Sequence, residues 1–149
     1  MIRAATLEDV EQTFELLKSF ATASLVNYSD WAEADAIGAV VILKHLIVNH
    51  YLMVAEHDGK IVGMIGAMVE QDPWISSKKR MRELFWWVEP AFRRSRISAE
   101  LFVKWQTDCE RFIRDKLVDT VSLSTQPGSS DIDLSKRGWR CVESHWIKE

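Results

Sequence analysis

The stretch Phe85 to Phe102, FWWVEPAFRRSRISAELF, constrains this chain more than any other. It reads as an aromatic strand ending at Val88, a break at Glu89-Pro90, and a helix starting near Ser95 with apolar residues at Ile97, Leu101 and Trp105. A strand feeding through a short turn into a helix belongs to an α/β domain. The junction also has a chemical consequence. The first N–H groups of a helix have no partner inside it, and the macrodipole is positive there, so such a place binds phosphate. Arg93, Arg94 and Arg96 crowd this one.

Val88, Pro90, Arg93, Ile97 and Leu101 resemble motif A of the GNAT N-acetyltransferase superfamily, in which a strand ending in Val-x-Pro is followed two residues later by R/Q-x-x-G-x-G/A and a long helix. Arg96 and Ser98 stand where the family has glycines, which let the backbone approach the pyrophosphate of acetyl-CoA. The resemblance implies acetyl-CoA as co-substrate, with its pyrophosphate held by Arg93, Arg94, Ser95, Arg96, Ile97, Ser98 and Ala99. It also implies that the thioester lies against backbone N–H groups at Trp86, Trp87 and Val88, between the fourth and fifth strands. Gln126 falls near a family asparagine that contacts the pantetheine arm.

The rest of the chain follows the same order. Ile2 to Ala5 reads as a strand, and Thr6-x-x-Asp9 resembles a capping box ahead of a helix carrying Leu7, Val10, Phe14, Leu17 and Ala21. After a loop from Thr22 to Asp30, Asp30 with Glu33 can cap a second helix running to about Val48. Tyr51 to Glu56 and Lys60 to Glu70 are strands around His57-Asp58-Gly59, a strong hairpin signal, and Gly63 and Gly66 suggest a bulge or a tight backbone approach. Arg80 to Val88 is a fourth strand, the next helix runs to about Leu117, and Val118 to Ser124 is a fifth strand. Ser130 to Arg137 reads as a short helix with Gly138 as its C-cap, and Trp139 to Lys148 as a closing strand or hairpin. The sum is a single GNAT-like domain over 1–149: a mixed, mostly antiparallel sheet flanked by helices.

Composition bounds the alternatives. At 149 residues, 47% hydrophobic and 28% charged, the chain has room for one well-packed core. A net charge of -3 disfavours a broad nucleic-acid footprint. The apolar run Ala36 to Leu43 is far shorter than the roughly 20 residues of a membrane span, and no secretory signal is visible at the start. Cys109 and Cys141 give neither a disulfide framework nor a metal pattern, and the histidines have no ligand spacing, so a cytoplasmic, metal-free protein is expected. No G-x-S-x-G or P-loop motif occurs. Of the tryptophans, Trp86, Trp87 and Trp105 read as packing residues, whereas Trp31 and Trp74 sit near element ends and could line a pocket.

The chemistry that the resemblance implies is direct attack of an amine on the acetyl-CoA thioester. By the same resemblance, Tyr28, Asp30 and Trp31, between the first two helices, are candidates for acceptor contact. Some members place a glutamate six residues before the motif valine; here that position is Arg82. Glu83 is adjacent and faces away under strict alternation unless a bulge restores it, with Glu70 and Asp72 as further candidates for the base. The usual proton-donating tyrosine position is Leu134, which leaves Ser124, Ser129, Ser130 or water. Lys78, Lys79, Arg80 and Arg82 form a basic cluster that either receives an anionic group or solvates a loop. The rival to an enzyme is a GNAT fold that has lost catalysis and binds a protein partner. The acceptor is a small-molecule or protein amine, and aromatics near the last strand would favour a homodimer.

Overall fold

The computed structural model describes residues 1–23, 35–125 and 132–143. Among these residues the sheet has five strands in sequential order. These are β1 (Ile2–Ala4), β2 (Tyr51–His57), β3 (Lys60–Gln71), β4 (Lys79–Val88) and β5 (Thr120–Ser122). The first four pair antiparallel, and β5 joins β4 in parallel. Asp58 and Gly59, both at positive φ (49° and 75°), turn β2 into β3, which is the backbone that a two-residue hairpin requires.

Helices α1 (Val10–Ala23) and α2 (Ala36–Asn49) cover one face of the sheet, and α3 (Arg96–Arg114) covers the other. The period of two along each strand divides the core accordingly. Leu52, Val54, Met64 and Phe85 meet Leu16, Leu17, Leu43 and Leu46. Met53, Ala55, Ile65 and Val88 meet Leu101, Phe102, Trp105 and Cys109. The cap of α2 is Asp35, whose carboxylate accepts the Gly38 N–H at 2.8 Å; the expected cap, Asp30, lies outside the described residues.

At the start of the chain Asp9 reaches back to the Thr6 N–H (2.7 Å) and takes two hydrogen bonds from Arg3 (2.7 and 2.8 Å). Arg3 also grips Glu56 at 2.9 Å, so one guanidinium ties β1, β2 and the first helical turn together. Its hydrogen bonds are the main reason that the Asp9 carboxyl is brought down to about 2.

Two places depart from simple periodicity. Asp108 is buried within the apolar stripe of α3, where the Tyr51 hydroxyl (3.0 Å), Lys104 (2.7 Å) and Arg111 (3.2 Å) all donate to it. On the sheet, Gly66 faces Phe85 and Ala67 faces Glu83, so Leu84 is an extra, unpaired residue in β4. Gly66 is needed there because a Cβ would lie 2.3 Å from the Phe85 ring. Gly66→Ala is therefore expected to cost about 1–3 kcal/mol through forced movement of a buried ring, read as a lower urea midpoint with an unchanged slope.

The chain beyond β5 differs from expectation. Ser135–Arg137 is a single 3-10 turn closing on Gly138 (φ 83°), and Trp139 to Glu143 form no strand; the remainder of the expected closing strand lies outside the described residues. Helix α3 begins one residue after its cap Ser95 and ends at Arg114 rather than near Leu117, and Ile113 on its last turn is exposed.

Candidate active site

Strands β4 and β5 pair only from Arg80 with Thr120 to Arg82 with Ser122. From Glu83 to Val88, β4 runs on with no strand at that edge among the described residues, which opens a wedge. The Glu89 N–H donates to the Val62 carbonyl at 2.9 Å. Hydrogen-bonded pairs alternate with non-bonded pairs in an antiparallel ladder, so Trp87, opposite Met64, turns its backbone to β3. The intervening residues, Trp86 and Val88, turn theirs to the wedge. Of the three expected backbone donors, two face the opening and Trp87 does not. Its side chain lies on the α1 face, edge-on to Phe20.

The bulge at Leu84 decides which side chain enters this region. It puts Glu83 on the same face as Met81, Trp86 and Val88, and leaves Arg82 on the opposite face. Glu83 is 8% exposed, and its carboxylate accepts the Ser124 N–H at 3.0 Å. Burial pushes the carboxyl up to about 7, with the Ser124 N–H and the charge of Arg82 pulling the other way. A carboxyl at that value exchanges a proton readily near neutrality, as a general base must. Glu70 is occupied by Arg80 and Arg82, and Asp72 caps the β3–β4 turn by accepting the N–H groups of Trp74 and Ile75, so neither is placed as a base. Trp74 is 90% exposed on that turn.

At the other end of β4, Pro90–Phe92 form a 3-10 turn, Arg94 takes the left-handed conformation (φ 60°) and Ser95 caps α3. The Ser95 hydroxyl donates to the Phe92 carbonyl and accepts the Ser98 N–H at 3.4 Å. The Ala99 N–H opens the helical ladder on Ser95, so the N–H groups of Arg96 and Ile97 are the ones left at the helix end. Arg96 does not cover them. Its side chain is 90% exposed and reaches along the helix to Glu100 at 2.7 Å. Arg93 folds back instead: its Nε donates to the Val88 carbonyl at 2.9 Å and its guanidinium lies 4.4 Å from the Trp87 ring centre. Ile97 packs against the core beneath α3, and Ala99 is exposed. Tyr28, Asp30, Trp31 and Gln126 lie outside the described residues. Nothing in the sequence signals the Ser124 amide as a partner of Glu83, because the two stand 41 positions apart and only the fold brings them together.

Among the described residues no group of three or more His, Cys, Asp or Glu side chains gathers to hold a metal ion, and no helix is long and apolar enough to cross a membrane. Residues 10–127 match the model of the acetyltransferase (GNAT) family. Among solved structures the fold is similar to a possible acetyltransferase from Clostridium difficile 630 (17% identity, TM-score 0.69), over 100% of this chain and 96% of that one. It is also similar to a ribosomal-protein-alanine N-acetyltransferase from Brucella melitensis biovar Abortus 2308 (17% identity, TM-score 0.64; 100% and 99% covered). A third is AAC(6')-Iy in complex with the bisubstrate analogue CoA-S-monomethyl-acetylneamine (18% identity, TM-score 0.64; 100% and 96% covered). No curated protein matches.

Proposed function

Because the chain belongs to the acetyltransferase (GNAT) family, we propose that it transfers the acetyl group of acetyl-CoA to a primary amine by direct attack in the wedge between β4 and β5. The observation that carries this reading is Glu83: a buried carboxyl that ionises near neutrality, beside the open backbone edge of Trp86 and Val88. Glu83 takes the proton that the attacking amine must lose. The N–H groups of Trp86 and Val88, held in place by the β3 ladder, donate to the thioester oxygen as negative charge grows on it.

The N–H groups of Arg96 and Ile97 and the positive end of α3 meet the pyrophosphate. Arg93, fixed on the Val88 carbonyl and the Trp87 ring, positions the end of β4. The departing thiolate is weakly basic, and water supplies its proton. The similar structures include an acetyltransferase named for a ribosomal-protein alanine and one bound to an acetylneamine analogue, which supports a protein or a small-molecule amine as the acceptor.

Calorimetric titration with acetyl-CoA tests the reading before any acceptor is known. Saturable binding below about 1 mM, worth some 4 kcal/mol or more, is the expected outcome. Absence of saturation at millimolar concentration leaves the fold with a partner-binding role and no transfer.

A further inference from the structure

We propose that the acceptor amine carries an anionic group, a phosphate or a carboxylate, bound by Arg82 together with Arg80, Thr120 and Ser122 on the sheet face opposite Glu83. This names the acceptor class of the transfer proposed above and rests on that reading.

The placement follows from the bulge. Met81 and Glu83 face α3, so Arg80 and Arg82, which alternate with them, face the other way. Parallel pairing sets Arg80 beside Thr120 and Arg82 beside Ser122. Val121, between those two, packs into the α3 core, which turns the two hydroxyls to the arginine side. Thr120 and Ser122 are exposed, and the arginine side chains are 35% and 45% exposed. Two guanidiniums and two hydroxyls thus share one open patch of β4 and β5, next to the residue pair that closes the wedge.

One carboxylate answers both arginines. Arg80 binds Glu70 tightly, through Nε at 2.7 Å and Nη2 at 2.6 Å. Arg82 reaches the same carboxylate at 3.1 and 3.3 Å, the looser pair. Those hydrogen bonds, Arg82's first and then Arg80's, hold the Glu70 carboxyl below its ordinary value, so its charge is fixed at neutral pH. Glu70 matches one of the two guanidinium charges, with Lys78 and Lys79 next in sequence and the Asp72 carboxylate close enough to feel Arg80 and Lys78. A guanidinium presents five N–H donors in a planar fork that fits phosphate and carboxylate oxygens, and Glu70 uses only part of each fork. Consecutive strand residues are about 3.3 Å apart. The side chains of Arg82 and Glu83 leave opposite faces of β4, so an acceptor with its anion on Arg82 passes through the wedge beyond the Arg82–Ser122 pair to bring its amine to Glu83.

Pairs of amines that differ in the anionic group provide the test: ethanolamine against phosphoethanolamine, and propylamine against β-alanine, with release of CoA as the signal. The anionic member of at least one pair is expected to show a KM about tenfold or more below its neutral partner. Arg82→Gln is expected to bring that ratio to within about twofold, and the responding pair tells phosphate from carboxylate. Equal KM values within both pairs, or a ratio that Arg82→Gln leaves intact, overturns the proposal. If no amine turns over, a second measurement decides. Inorganic phosphate, then acetate, is titrated into the chain with millimolar CoA present, following the amide signals of Arg82 and Ser122. A saturable shift that Arg82→Gln abolishes supports the site; no shift, or one confined to the start of α3, overturns it. Failure of the acetyl-CoA reading registers separately, in the calorimetry.

Discussion

Glu83→Gln lowers kcat/KM for amine acetylation by roughly 100- to 10,000-fold, and the same change makes the chain more stable at alkaline pH. The amide keeps the size of the side chain and retains an oxygen for the Ser124 N–H, which Glu83 engages at 3.0 Å. What it removes is the ability to take a proton. Burial raises the carboxyl from 4.5 to about 7 in the folded chain, so between those values the native state holds a proton that the unfolded state has lost. Stability that is complete below pH 4.5 therefore declines as pH rises through about 7 and is level above it. A shift of that size corresponds to a loss on the order of 3 kcal/mol, which the glutamine variant escapes. Urea unfolding of the two chains should coincide near pH 4 and separate progressively up to about pH 8. The wild-type rate should rise with pH along a limb near 7, and the variant should lack that limb. Wild-type activity in Glu83→Gln would remove this residue from the chemistry, whatever the stability curves do.

Most of the scaffold around Glu83 is legible in the sequence because it is set by local patterns. The Asp58-Gly59 turn, the break at Pro90 and the cap at Ser95 each follow from the conformational preferences of a few adjacent residues. The bulge is legible only in part. Gly66 marks an irregularity, but the extra residue falls on the partner strand, at Leu84, and it is this that turns Glu83 rather than Arg82 toward the α3 face. Arginine contacts are the least legible. Arg93 turns back onto Val88 and Trp87 while Arg96 runs out along α3 to Glu100, although the two stand three positions apart in one basic run. A long side chain settles wherever the local backbone puts an acceptor within reach, and the turn between Val88 and Ser95 sends these two side chains to different ones. Asp108 shows the same limit: the stripe from Leu101 to Phe112 foretells the buried face of α3, but not a carboxylate inside it answering the hydroxyl of Tyr51.

Trp105→Ala has the largest expected effect on stability, a loss of about 3–5 kcal/mol. The indole is among the largest fully buried side chains, midway along α3, with its ring 5.2 Å from that of Tyr51 in an edge-on contact. Removing it deletes the transfer free energy of the ring and leaves a void between α3 and β2 that backbone relaxation fills only in part. The void also borders Tyr51, whose hydroxyl is held by Asp108 one turn further along α3, so the buried hydrogen bond loosens with the packing. Against a total stability of about 5–15 kcal/mol, such a loss should lower Tm by roughly 10 °C. Trp74→Ala supplies the control, because that indole is 90% exposed and its removal should change stability by less than about 0.5 kcal/mol. Thermal unfolding of both variants separates the buried tryptophan from the exposed one. A cost under about 1 kcal/mol at Trp105 would mean that α3 does not carry the sheet, and the helix end proposed to hold pyrophosphate would then have no rigid support.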